Sequence, residues 1–87
     1  MRRLTEEQKM RIVRRIKDTL KMLRVDVRFD EFDLIITVKK FLMVEMISYS
    51  DIKKLVRYLR RYGYKLSCFK LYEDKLEIIF TSFTSIA

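Results

Sequence analysis

One arrangement of periods occurs twice along this chain: a stretch with apolar residues at helical spacing, then two stretches in which apolar and polar residues alternate. Such a chain has few ways to fold, because each amphipathic helix needs an apolar surface and each half-apolar strand offers only one. In the first copy, Thr5 and Gln8 have the spacing of a capping box, and Ile12, Val13, Ile16, Leu20 and Leu23 follow within an arc of about 100°. This predicts a helix running to about Arg24. Val25, Val27 and Phe29 then alternate with Asp26 and Arg28, the acidic run Asp30-Glu31-Phe32-Asp33 interrupts, and Leu34, Ile36 and Val38 alternate again. The expected element is a β-hairpin with an acidic turn.

In the second copy, Ser48 to Asp51 repeats the capping pattern, and Ile47 is placed to pack on Ile52 as a hydrophobic staple. Tyr49, Ile52, Leu55, Val56 and Leu59 form the predicted stripe, and Gly63, the only glycine, can end the helix in the left-handed region. Strands are predicted over Tyr64–Tyr72 and Lys75–Ser82, joined by Glu73-Asp74, with Leu76, Ile78 and Phe80 on one face. The third strand has a mixed period: Leu66 and Cys68 share one parity, Phe69 and Leu71 the other. Either both faces are covered or a bulge shifts the register. The apolar run Phe41 to Ile47 lacks turn residues and reads as an extension of the second strand, the alternative being a partner-binding segment.

With an offset of 43, residues 11–17 and 54–60 agree in charge or apolarity at six of seven positions, so residues 5–40 and 48–82 read as pseudo-repeats within a single domain spanning residues 1–87. The fold class is α+β, in the order αββαββ, with two helices on one face of a four-stranded antiparallel sheet. At the level of architecture this two-layer sandwich resembles a circularly permuted ferredoxin-like arrangement. No family motif accompanies the resemblance.

Several functions are excluded or disfavoured by residue types. Histidine is absent, which removes the commonest general base near neutral pH and the commonest metal ligand. A single glycine cannot make a phosphate-cradling loop, and a lone cysteine, Cys68, can make neither an internal disulfide nor a thiolate metal site. Cys68 is expected to be a small buried hydrophobe. No enzymatic activity, cofactor or metal is therefore expected. The one catalytic alternative is that the two acidic turns meet to hold Mg²⁺ for phosphodiester cleavage. The longest apolar runs are too short to span a bilayer, so the expected location is cytoplasmic. Abundant Lys, Ile, Phe and Tyr with few turn breakers would suit an AT-rich genome, a thermophile or a mobile element.

The informative signal is the distribution of charge, which totals +8. Residues 2–24 hold nine Lys or Arg against three acids and residues 48–62 hold five against one, so the helical segments carry +10 and the rest −2. Arg11, Arg14, Arg15 and Lys21 lie opposite the first stripe, Lys53, Lys54, Arg57, Arg60 and Arg61 opposite the second, and Arg2 and Arg3 precede the first cap. If both stripes face the sheet, these residues form one cationic surface suited to nucleic-acid backbone. Glu7–Arg11 and Arg14–Asp18 are spaced for helix-supporting ion pairs. The alternative is a protein-binding module or inhibitor that docks on an acidic partner protein.

Arg28, Ile35, Thr37, Lys39, Glu77, Ile79 and Thr81 should point away from the helices. Phe69 and Leu71 would join them if the third strand has that parity. The resulting apolar patch, together with Phe41 and Met43 of the protruding segment, predicts a homodimer. The competing use of the same face is as a stacking platform for single-stranded bases.

Overall fold

The computed structural model describes residues 4–20, 24–39 and 47–82. The elements are α1 (Glu6–Thr19), β1 (Arg24–Phe29), β2 (Asp33–Lys39), α2 (Tyr49–Arg60), β3 (Tyr64–Leu71) and β4 (Lys75–Ser82). Both N-termini begin where the sequence places them. Thr5 Oγ1 accepts from the Gln8 amide at 3.1 Å while Gln8 Oε1 accepts from the Thr5 amide at 2.9 Å, closing a capping box. Ser48 Oγ accepts from the Asp51 amide at 3.1 Å. Thr5→Ala is expected to cost about 1 kcal/mol, and thermal unfolding followed by circular dichroism should show a midpoint lower by roughly 4–8 °C.

The strands pair antiparallel in the order β1-β2-β4-β3. A ferredoxin-like sheet acquires this order when its first strand is moved to the end of the chain. The two αββ units are thus related topologically by a two-fold passing through the central Ile36↔Ile78 pair. Sequence-equivalent positions occupy equivalent places: Ile12 and Leu55, then Ile16 and Leu59, are fully buried from opposite helices. Beneath them lie Leu34, Ile36 and Val38 of β2 with Ile78 and Phe80 of β4, in one cluster joined by Leu20 and Tyr64. This single core holds both helices on one face of the sheet.

Four expectations are corrected. The first helix stops at Thr19 with Leu20 as its cap, and Arg24 opens β1 instead of closing α1. Tyr49 is not in the buried stripe but is 76% exposed. It is the first residue of α2, a quarter-turn or so from the centre of the stripe, with Lys53 Nζ 5.2 Å from its ring. In β3, a bulge between Leu66 and Cys68 leaves Ser67 as the extra residue and resolves the mixed period. Cys68 then pairs with Ile79 on the outer face of an edge strand and is exposed, not buried. Phe69 and Leu71 pair with Ile78 and Leu76, so they lie on the helix side and do not join Ile35 and Ile79. Phe41, Met43 and the rest of 41–46 lie outside the described residues.

Gly63 has φ 84°, as a helix stop in the left-handed region requires, and the chain enters β3 at the next residue. The acidic turns also form, Asp30 N–H donating to Asp33 and Tyr72 N–H to Lys75, each at 2.8 Å. Their positions follow from the β2·β4 register, which sets Asp33 opposite Thr81 and Lys39 opposite Lys75. The turns therefore lie at opposite ends of the sheet, and the pairing of carboxylates that Mg²⁺ would need does not occur.

Candidate nucleic-acid interface

Adjacent strands reverse direction and each helix runs back along the strand that follows it, as the approach of Lys9 Nζ to the Phe29 ring at 5.6 Å shows for α1 and β1. The helices are consequently antiparallel neighbours. They meet where the Arg15 guanidinium lies 5.0 Å over the Tyr58 ring. Tyr58 and Tyr62 pack edge to face with centroids 5.5 Å apart, their hydroxyls within 3.4 Å. Stacking on Tyr58 limits the rotamers of Arg15 without using its donors, which costs less entropy when an anion is bound.

Outward from this seam, Arg14, Arg15, Lys53, Lys54, Arg57, Arg60 and Arg61 are all exposed. Among the described residues none of these seven takes part in an ion pair. Arg11 is different, since its guanidinium pairs with Glu7 at 2.9 Å. Arg14 and Asp18, spaced for a similar pair, do not form one. Arg2, Arg3 and Lys21 lie outside the described residues. Five of the seven exposed cations are arginines, whose planar fork matches two phosphate oxygens at once.

The seam has a titration signature. Burial, then the hydrogen bond and charge interaction with Tyr62, push the Tyr58 phenol up from 10.0 to about 12, although Arg15 and Arg11 pull it down. Because the folded value is raised, the stabilising contribution is complete below pH 10 and is lost as pH rises through about 12. With no tryptophan present, ultraviolet titration of phenolate should show late ionisation from two tyrosines, since burial and then the Asp33 charge also push the Tyr64 phenol up, and Tyr58→Phe should remove only the component near pH 12.

Sequence reading missed a second group of cations. Arg24 pairs with Lys39 and Lys39 with Lys75, making a row across three strands on the face away from the helices. Only the register discloses it, since the three are far apart in sequence. Lys75 is engaged within the sheet, 3.9 Å from Glu77 and 5.0 Å from the Tyr72 ring. The same face carries Ile35, only 7% exposed, beside half-buried Ile79. Exposed apolar area at that centre is small, which weakens it as a dimer surface or stacking platform.

Among the described residues no group of His, Cys, Asp and Glu could hold a metal ion, and no helix is long and apolar enough to cross a membrane. No protein-family model matches this chain, and no curated protein or solved structure matches it either.

Proposed function

We propose that this chain is a non-catalytic nucleic-acid-binding protein that grips the phosphate backbone through the outward face of α1 and α2. The observation that carries this reading is the set of seven exposed Lys and Arg residues on adjacent helices, none of them in an ion pair among the described residues. Unpaired surface cations at this density repel one another, and a polyanion relieves that repulsion while releasing its own condensed counterions. Backbone contact fits better than base readout. The chain contains no asparagine and one glutamine, Gln8, which is engaged in the α1 cap.

The test is electrophoretic mobility shift with unrelated duplex and single-stranded oligonucleotides at two salt concentrations. If about four phosphates are neutralised, raising salt from ~50 to ~200 mM should weaken binding on the order of 10²-fold. Absence of any shift at the lower salt concentration overturns the proposal and leaves an acidic protein as the partner for this charge.

A further inference from the structure

Strand β1 is an edge of the sheet: among the described residues it pairs only with β2. Asp30 N–H donates to the Asp33 carbonyl, so by the alternation of an antiparallel ladder the even-numbered residues of β1 bond to β2. The N–H and C=O groups of Val25, Val27 and Phe29 then point out to the open edge. Such a row is a template for another strand.

The side chains of this edge say which strand fits. Along its outer face the charges alternate, Arg24, Asp26 and Arg28 on the strand and Asp30 just past its end; Arg28 Nε lies 3.7 Å from Asp30 Oδ1, an exposed pair that costs little to exchange for partners on a second chain. Read in reverse, that series is its own complement. We propose that β1 pairs antiparallel with β1 of a second copy about a two-fold at Val27, setting Asp26 opposite Arg28 of the partner subunit and Arg24 opposite the partner's Asp30. On the helix side the same register sets Val25 opposite the partner's Phe29, and Val27 opposite the partner's Val27. All outward backbone groups of the three residues find partners.

Neighbouring registers fail on charge. Sliding by two residues, the smallest step that keeps apolar residues on one face, puts Asp26 opposite the partner's Asp26 or Arg28 opposite the partner's Arg28. Larger slides restore complementarity but shorten the ladder. The packing above the strand is consistent with the symmetric register. Between α1 and β1 runs an open groove of about 620 Å³, apolar at Met10, Val13, Val27 and Phe29 and charged at its other five lining residues, all from α1. Met10 is 64% exposed, the greatest exposure of any apolar residue on α1. The two-fold turns two such grooves toward each other.

A two-fold perpendicular to the sheet makes one continuous antiparallel sheet with all helices on the same side. The cationic layers of the two copies then face the same way. The dimer itself does not depend on polyanion binding and is measured without nucleic acid.

The experiment is sedimentation equilibrium on the full chain and three variants. The wild-type chain should be dimeric at micromolar concentrations. Arg28→Asp and Asp26→Arg, each placing like charges face to face twice across the two-fold, should weaken the dimer at least tenfold. The double variant Asp26→Arg/Arg28→Asp no longer alternates along the strand but again sets opposite charges face to face at 26 and 28 across the two-fold, with Arg24 still opposite the partner's Asp30, and should dimerise again. Rescue separates pairing from damage to the fold, since both side chains are exposed and neither belongs to the core. A monomeric wild-type chain, single variants that stay fully dimeric, or a double variant that stays monomeric would each overturn the proposal.

Discussion

Replacing Arg57 and Arg61 together by alanine is expected to weaken binding to an unrelated duplex on the order of 10²-fold at ~50 mM salt. The magnitude follows from counterion release. Each lost phosphate contact lowers the slope of log affinity against log salt by about 0.9, equivalent to about 15-fold at that concentration relative to 1 M. Two contacts multiply to the stated loss, and the slope itself should fall by roughly two. Both side chains are exposed, Arg57 in the last turn of α2 and Arg61 at its C-cap, and neither pairs with a carboxylate among the described residues. Loss of two cations from the C-terminal end of α2 offsets the gain in helix propensity at Arg57, so the melting temperature should move by only a few degrees. Lys39→Ala with Lys75→Ala is the companion measurement, because these residues belong to the row on the other side of the sheet. If that pair abolishes binding and the α2 pair does not, the interface is the outer sheet face and the helical layer is only solvated.

How much of this was legible in advance depended on the range over which each feature is encoded. Helix starts are local events, and Thr5 with Gln8, and Ser48, cap as their spacing predicts. The face of β4 is equally local, since Leu76, Ile78 and Phe80 alternate without interruption. The end of α1 was not legible. Lys21-Met22-Leu23 continues the helical period without glycine, proline or asparagine, so nothing in the sequence signals the stop at Thr19. The bulge at Ser67 is a sharper case. One inserted residue exchanges the faces of everything after it, moving Phe69 and Leu71 to the helix side and Cys68 outward. The edge position of β3 then leaves Phe69 49% and Leu71 72% exposed even there.

Non-local features were invisible for a different reason. The basic row Arg24–Lys39–Lys75 exists only once three strands are aligned, and no local period encodes the order β1-β2-β4-β3. The charge alternation of β1 was present in the sequence throughout. It acquires meaning only because that strand lies at an edge, where another chain can meet it. Of the proposed phosphate contacts, by contrast, the positions on α1 and α2 followed from helical periodicity alone. A stripe that is buried dictates what lies opposite.

The core makes the second strong prediction. Phe80→Ala is expected to destabilise the fold by about 3–5 kcal/mol, the cost of removing a buried phenyl ring and leaving a cavity. Phe80 is fully buried, and on β4 it lies between Leu34 of β2 and Leu66 of β3, under the helices that supply Ile12, Ile16, Leu55 and Leu59. A chain of 87 residues has a total stability of about 4–13 kcal/mol at the usual 0.05–0.15 kcal/mol per residue, so this loss removes a large share. Thermal unfolding should shift down by on the order of 20 °C, with a matching fall in the urea midpoint. Ile79→Ala provides the contrast, being one residue away but on the opposite face, half-buried beside Ile35. It should cost about 1–2 kcal/mol. A reversal of this order, with Ile79 the more costly, would place the main core on the wrong side of the sheet. The helices would then have no apolar floor to hold their cations facing outward.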